Sequence, residues 1–238
     1  MKYNPKLRRK LRHTKAYNNN TFLNSRDARS IRVQCELVEP ELRLKQLGVD
    51  HTVTFFGSAR TKIDTPDYAS AYKLAYRIGD HKKFQDNMAI CSGGGPGTME
   101  AVNAGAMDSG AKSMGMGISL PFEQFNNEHI TTDLDFEFHY FFTRKYWCVY
   151  LGKAFVVLPG GVGTMDELFE VLTLIQTGKI SNTRPIVLFN KDFWEKTINF
   201  DRMVEQGTIS KSDLDLFHIT DDIQDAVNYI YDNIKLDR

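Results

Sequence analysis

The chain has 238 residues, 42% of them hydrophobic and 25% charged, and its 30 basic side chains balance its 30 acidic ones. This composition is typical of a globular protein with a buried core, and it gives no electrostatic reason to expect a polyanionic partner. No apolar run approaches the roughly 18 residues of a membrane span, and no secretory signal follows the basic start. We therefore expect a cytoplasmic protein that does not contact a membrane.

The first 50 residues are predicted to form a basic N-terminal extension with one helix. Residues 1–30 are rich in asparagine and have no acid before Asp27, and their basic residues include Lys2, Lys6, Arg8, Arg9, Lys10, Arg12 and Lys15. We predict that this part is mobile or loosely docked, and that residues 31–47 form a helix disturbed near Pro40. The cations could contact nucleic-acid phosphates, but no interleaved aromatic residues or groove-reading helix accompany them. Nucleic acid is therefore not an expected partner.

From His51 onward, short apolar runs alternate with longer amphipathic ones. We predict strands at 51–57, 87–95, 112–120, 153–159, 184–190 and 217–220, and helices at 67–81, 98–110, 143–152, 164–178, 192–206 and 221–234. Strands that alternate with helices of this length indicate right-handed βαβ units. The predicted fold is therefore α/β, with a Rossmann-like, doubly wound, largely parallel sheet flanked by helices, in one domain that covers residues 51–238.

Three cysteines, Cys35, Cys91 and Cys148, are widely separated in this sequence. An odd number at such spacings fits neither a disulfide framework nor a zinc site. We predict three reduced, buried thiols and no bound metal.

Three glycine-rich turns follow predicted strands: FFGSAR (residues 55–60), CSGGGPGTME (91–100) and LPGGVGTMDE (158–167). In such sheets ligands bind at the carboxyl ends of the strands, where loops lead into helices. The second and third turns share the form GG-x-GT, with Gly94, Gly95, Gly97 and Thr98 in one and Gly160, Gly161, Gly163 and Thr164 in the other. Backbone N–H groups and the helix dipole at such turns favour an anion, most simply a phosphate. Neither turn is a Walker loop or a complete dinucleotide fingerprint.

The charged residues near these turns allow more than one interpretation. Thr164 and Glu167 have capping-box spacing, and Asp166 and Glu100 also suit a helix start, so Glu167 is either a cap or a catalytic carboxylate. Arg144 and Lys145 open an aromatic helix, where basic residues oppose the dipole. They are either a solvated pair or partners of a phosphate or carboxylate.

These motifs together resemble one known family. PGGVGTMDE, FFTRK, GSAR and SGGGPGTME match, in consistent order from about His51 to Asn190, the motifs of the LOG ("Lonely guy") family. The resemblance implies a phosphoribohydrolase that needs no cofactor and cleaves the N-glycosidic bond of a nucleoside 5′-monophosphate. Members are often labelled lysine decarboxylases, but this sequence has no evident pyridoxal-phosphate framework.

Carried onto this sequence, the resemblance implies that Arg144 and Glu167 are the catalytic pair. It also implies a nucleotide pocket made by Gly57, Ser58, Arg60, Gly94, Gly95, Gly97, Thr98, Glu100, Lys145, Gly160, Gly161, Gly163 and Thr164. Within it, Gly161, Gly163 and Thr164 would cradle the 5′-phosphate, and Glu100 would accept from ribose hydroxyls.

The resemblance leaves the substrate base open and implies an assembly. GGGPGTMEA looks closer to long bacterial relatives that hydrolyse AMP than to the plant-type cytokinin enzymes. Family members form homodimers or larger oligomers, and the aromatic stretch 136–142 is either part of such an interface or an ordinary core strand. The alternative function is a non-catalytic carrier or sensor of a nucleotide or a molybdopterin-type cofactor, for which the pair Arg144 and Glu167 would have little use.

Overall fold

The computed structural model describes residues 15–119, 126–181 and 183–236. Within them lies one seven-stranded sheet in the order β4-β3-β2-β1-β5-β6-β7, and all six strand pairings are parallel. The strands are β1 (His51–Phe56), β2 (Met88–Ser92), β3 (Lys112–Ile118), β4 (Asp135–Phe138), β5 (Gly152–Val157), β6 (Ile186–Phe189) and β7 (His218–Thr220). This confirms the predicted Rossmann-like sheet.

Helices cover both faces of the sheet, as a doubly wound fold requires. They are α1 (Asn20–Leu23), α2 (Arg29–Gln46), α3 (Pro66–Gly79), α4 (Thr98–Asp108), α5 (Phe141–Tyr150), α6 (Val162–Gln176), α7 (Lys191–Thr197), α8 (Phe200–Glu205) and α9 (Ile223–Asn233). Apolar residues of α3, α4 and α9 form the core on one face. Residues of α2, α5, α6 and α7 form the core on the other, so that most strand residues are buried on both sides.

The N-terminal helix α2 differs from the prediction. It is a single helix of 18 residues, and Pro40 lies inside it, buried. A proline removes one helical hydrogen bond, but α2 is held to the domain on both sides of it: Glu36 accepts hydrogen bonds from Thr143 and Trp147 of α5, and Leu44 packs into the core. The helix is therefore continuous across Pro40, and the carbonyl of Glu36, which Pro40 cannot bond, accepts from Trp147 Nε1 instead. The basic residues at positions 2 to 12 lie outside the described part of the chain.

Two further predictions need correction. The single helix predicted at 192–206 is two helices, because Ile198 is extended and Asn199 caps α8 by accepting a hydrogen bond from the Arg202 N–H at 2.8 Å. Cys91 and Cys148 are buried free thiols, as expected, but Cys35 is exposed on α2. No helix in the described ranges is long and apolar enough to cross a membrane.

The aromatic stretch 136–142 has a buried first half and a second half that includes exposed side chains. Phe136 and Phe138 point into the core from β4, so this part is an ordinary core strand. Phe141 and Phe142, which begin α5, are exposed. An interface role is therefore possible only for the second half of the stretch.

Candidate active site

The three glycine-rich turns meet at one edge of the sheet. The chain leaves β1 toward β2 on one side and returns through β5 on the other, so the strand order reverses between β1 and β5. In open α/β sheets this reversal creates the crevice in which ligands bind. A cavity of about 840 Å³ lies there. The predicted site residues that line it are Gly57, Ser58, Arg60, Gly95, Arg144, Lys145, Gly161, Gly163, Thr164 and Glu167.

The third turn opens into helix α6, whose N-terminal end is positively polarised and has no side-chain cap. The N-cap is Gly161, no side chain caps the helix, and no acid lies in its first turn. The N–H groups of the first turn therefore have no intrahelical partner. A Cβ placed on Gly161 or Gly163 would meet no atom within 4 Å, whereas one on Gly160 would lie 2.1 Å from Thr164 Oγ1. An anion can thus approach this turn closely.

Glu167 is not a helix cap. Because α6 begins at Val162, Thr164 and Glu167 lie too far into the helix to form the expected capping box. Instead, Glu167 Oε1 accepts a hydrogen bond from Arg144 NH1 at 2.8 Å, and the two side chains are only 13% and 10% exposed. The interpretation of Glu167 as a cap is therefore wrong, and the interpretation of Arg144 as half of a solvated pair is wrong as well.

Three elements fix the position of Arg144. Its backbone N–H donates to the carbonyl of Tyr140, the N-cap residue of α5, and its Nε donates to the Met116 carbonyl of β3 at 2.7 Å. Its NH2 lies against Gly93, where a Cβ would stand only 2.5 Å away. Burial raises the pKa of Glu167 above its ordinary value, and the positive charges of Arg144 and Lys145 oppose that rise.

Lys145 faces two other carboxylates of α6. Its Nζ lies 2.9 Å from Asp166 Oδ2 and 2.7 Å from Glu170 Oε2. Asp166 lines the cavity, and α6 has no acid in its first turn. Asp166 is therefore an ion-pair partner of Lys145 and not the helix-start residue that the sequence suggested.

Part of the second turn lines the cavity, through Gly95, and part of it, at Gly97 and Thr98, joins this turn to the first turn. Gly97 has φ +69°, and a Cβ there would lie 2.7 Å from the Ser58 carbonyl oxygen. The Thr98 N–H donates to that same oxygen at 3.0 Å, and its buried hydroxyl lies 2.8 Å from the Thr61 hydroxyl. Neither residue is among those that line the cavity, nor are Gly94, Gly160 and Glu100. Glu100 is half-buried in the first turn of α4.

A buried polar network that was not predicted supports the second turn. Asn127 Nδ2 donates to the carbonyls of Gly94 and Gly95 and to Asn103 Oδ1, at 2.9 to 3.0 Å. Asn103 in turn accepts from the Ser92 hydroxyl at 2.6 Å. Asp135 and Glu137, from the outward face of β4, also line the cavity and were missed. The only sequence signal for these residues is the polar composition of the loop before β4.

Among the described residues, no group of three or more His, Cys, Asp or Glu side chains could hold a metal ion. Two pairs of charged groups at the cavity are instead bonded to one another, Arg144 with Glu167 and Lys145 with Asp166. By fold and site, the chain is a Rossmann-like protein with a crevice that adjoins an uncapped helix N-terminus and a buried Arg–Glu pair.

Comparisons with known proteins narrow this class. A family model described as "Possible lysine decarboxylase" matches residues 99–230. The cytokinin riboside 5′-monophosphate phosphoribohydrolase LOG2 of Arabidopsis thaliana is 31% identical over 56% of this chain and 62% of its own length. The phosphoribohydrolase of the same name from Rhodococcoides fascians is 30% identical over 58% of this chain and 70% of its own. The chain therefore belongs to the LOG family.

Solved structures confirm the fold. The Moco carrier protein of Chlamydomonas reinhardtii superposes with a TM-score of 0.51 over 77% of this chain and 96% of its own, at 18% identity. The molybdenum cofactor binding protein of Rippkaea orientalis superposes with a TM-score of 0.50 over 76% and 94%, at 19% identity. At such identities the likeness concerns the architecture alone.

The first prediction concerns the stability of the Arg144–Glu167 pair. Arg144→Ala should lower the free energy of unfolding by about 3 kcal/mol, because it leaves Glu167 buried without its cation. Glu167→Gln added to Arg144→Ala should recover part of this loss. Because an unpaired buried carboxylate can take up a proton, the loss should also shrink as the pH is lowered. Urea denaturation measures all three effects.

The matched control for this prediction is Lys145→Ala. Its partners Asp166 and Glu170 are 59% and 33% exposed, so both side chains keep more contact with water than Glu167, which is 13% exposed. The expected loss is below about 1 kcal/mol. Equal losses in Arg144→Ala and Lys145→Ala would show that the buried pair has no special energetic role.

Proposed function

We propose that this chain hydrolyses the N-glycosidic bond of a purine nucleoside 5′-monophosphate, either AMP or a cytokinin riboside 5′-monophosphate. The products would be the free base and ribose 5-phosphate. The observation that carries the proposal is the buried Arg144–Glu167 pair, which lines the cavity beside the open end of α6. Family membership supports it, because the curated relatives named above are phosphoribohydrolases.

In the proposed complex, the 5′-phosphate binds at the start of α6. The first-turn N–H groups at Gly163 and Thr164 point toward the ligand there, and the helix dipole attracts its negative charge. Ser58 and Arg60 line the same cavity from the turn after β1. A guanidinium such as that of Arg60 is a natural partner for phosphate oxygens.

Glu167 then acts on the sugar. As the bond between C1′ and the base nitrogen breaks, the base leaves with the electron pair and the ribose gains oxocarbenium character. An ionised Glu167 beside C1′ stabilises this developing positive charge. A water molecule, oriented by the same carboxylate, adds to C1′ and gives up a proton, and the departing base gains one. Arg144 holds the Glu167 carboxylate in place and contacts the nucleotide.

The main competing function is that of a carrier that binds its ligand without cleaving it. Structural likeness to Moco-binding proteins is consistent with that alternative. However, a buried ion pair contributes little net stability, and a carboxylate close to a phosphate site would weaken binding. A binding protein would gain nothing from Glu167 at this position, whereas a glycosidic hydrolase needs it.

We also propose that a second copy of this chain covers the outer face of α5 and α2. Phe142, Tyr146 and Tyr150 of α5, together with Val38 and Leu42 of α2, are exposed apolar side chains on these two packed helices. Exposed aromatic clusters of this kind mark protein interfaces. Phe141 belongs to the same helix and also lines the cavity, so a partner copy seated here would help to close the site. The homo-oligomer implied by the family resemblance agrees with this proposal.

The hydrolase proposal is tested by incubating the protein with AMP and with a cytokinin riboside 5′-monophosphate, and separating the products by chromatography. We expect free base and ribose 5-phosphate from at least one of them. Glu167→Gln should lower kcat by at least about a hundredfold and leave nucleotide binding within a few-fold, because other groups contact the phosphate. Saturable binding without release of any base would instead support the carrier function.

The pH dependence of turnover provides a separate prediction. Because the carboxylate is the active form and burial raises the pKa of Glu167, kcat/KM should fall on the acid side at a pH above the ordinary glutamate value of 4.5. Protonation of the substrate phosphate, whose second pKa is about 6, also affects binding. The pH dependence of AMP binding to Glu167→Gln isolates that contribution. After correction for the substrate phosphate, a fall of kcat/KM only at or below pH 4.5 would contradict the assignment of Glu167 as the catalytic carboxylate.

The assembly is tested by sedimentation velocity. We expect the unmodified chain to sediment as a dimer or larger oligomer, and Tyr150→Glu to shift it toward the monomer, because the variant places a charge on the proposed interface. Met107→Glu is the matched control, since Met107 is an exposed apolar residue of α4, on the opposite face of the sheet. A monomeric unmodified protein at micromolar concentration would contradict the proposal.

A further inference from the structure

The helix that carries Arg144 has no N-terminal cap of its own. Tyr140 is the N-cap residue of α5, and no side chain of the helix or its cap residue satisfies the first N–H groups. The helix also has two cations, Arg144 and Lys145, at the end of its first turn, where they oppose the helix dipole. Left alone, this N-terminus would be a weak point in the site.

Glu36, from the N-terminal extension, instead binds the two residues before α5 and a side chain of its first turn. Its Oε1 accepts a hydrogen bond from the His139 N–H at 2.8 Å, and its Oε2 accepts from the Tyr140 N–H at 3.3 Å and from the Thr143 hydroxyl. The Glu36 backbone carbonyl accepts from Trp147 Nε1 at 2.8 Å. One residue of α2 is therefore bonded to four groups spread over two turns of α5 and the residues before it.

These bonds place a half-buried carboxylate at the positive end of α5. A negative charge there stabilises the helix through its dipole, and its hydrogen bonds to N–H groups are charge-assisted. In this set of hydrogen bonds, only one residue separates Glu36 from Arg144. The Tyr140 N–H donates to the Glu36 carboxylate, and the Tyr140 carbonyl accepts from the Arg144 N–H. If the first turn of α5 frays, Arg144 loses its fixed distance to Glu167.

We propose that Glu36 is a positioning residue for the reaction, which acts by holding the first turn of α5 and thereby Arg144. The inference rests on the proposed hydrolase function. It also assigns a role to the extension: α2 lies outside the matched family region, residues 99–230, and yet stabilises the helix that bears a catalytic side chain. Glu36 lies 103 residues before His139 in the sequence.

The test compares Glu36→Gln and Glu36→Ala with Glu41→Gln in the full chain. Glu41 is an exposed acid of the same helix and serves as the matched control. We expect kcat for AMP to fall roughly tenfold in Glu36→Gln and further in Glu36→Ala, because small displacements of reacting groups are costly. The Kd for AMP, measured by calorimetry on each variant with Glu167→Gln added, should change less than threefold, since the phosphate binds at α6. Glu41→Gln should match the unmodified protein in both.

A second variant keeps the test decisive if Glu36→Ala folds poorly. Thr143→Val removes the hydroxyl that donates to Glu36, and its effect on kcat should be non-additive with that of Glu36→Gln. Three results would each overturn the positioning role. The first is an unchanged kcat in Glu36→Gln, and the second is a rise in the Kd for AMP that accounts for the whole loss of activity. The third is that the effects of Glu36→Gln and Thr143→Val on kcat are strictly additive.

A readout independent of turnover separates this inference from the proposed function. The Arg144 Nε–H donates to the buried Met116 carbonyl, so it should exchange slowly with solvent in NMR spectra. Glu36→Gln should accelerate that exchange, and Glu41→Gln should not. Accelerated exchange in a protein that hydrolyses no nucleotide would leave the positioning intact and refute the hydrolase. Normal exchange in Glu36→Gln, in a protein that hydrolyses the nucleotide, would refute the positioning role and leave the hydrolase function intact.

Discussion

The site depends on one interaction, the ion pair between Arg144 and Glu167. Removing two charges from water is costly, and their mutual attraction rarely exceeds that cost by much. The protein therefore gains little stability from the pair, although helices α5 and α6 and strand β3 are all arranged around it. Because the pair adds little to stability and lies at the crevice, a role in a reaction explains it more simply than a role in folding. A fixed carboxylate in a poorly hydrated position interacts strongly with a cation that forms beside it.

The two turns with the same sequence form differ in what surrounds them. Both read GG-x-GT and both open helices without a side-chain cap. The start of α4 is covered by the first turn, because the Ser58 carbonyl accepts from the Thr98 N–H and lies close to Gly97. The start of α6 faces the cavity. The repeated motif therefore forms one joint between two loops and one helix start that faces the cavity, and the neighbouring loop makes the difference.

The fold could be predicted from the sequence because its determinants are local. Alternating apolar and amphipathic runs identify the strands and most helices, and parallel strand ends bring the turns to one edge. The role of Glu167 could not be decided in this way. A helix that starts at Thr164 would make Glu167 part of a cap, whereas α6 starts at Val162, and this small shift turns the side chain toward Arg144. Chain-level physics left both interpretations open, and only the family resemblance favoured catalysis.

Contacts between distant parts of the chain were beyond prediction. Nothing in the local sequence around Glu36 indicates that it bonds to residues 139–143, and nothing around Asn103 indicates that it faces Asn127. Both follow from the way the sheet assembles. The split between α7 and α8 was missed for a different reason, since Asn199 is a good helix cap but the apolar pattern continues across it.

The charges around the cavity also constrain how a nucleotide would lie in it. The lining contains three cations, Arg60, Arg144 and Lys145, and four acids, Asp135, Glu137, Asp166 and Glu167. The cavity as a whole is therefore not cationic, and attraction for a phosphate must come from the backbone at the start of α6 and from the nearest cations. Asp135 and Glu137, on β4, repel a phosphate but can accept hydrogen bonds from hydroxyl or amino groups. In the proposed complex the phosphate consequently lies at α6, and the remainder of the nucleotide points toward the acidic wall.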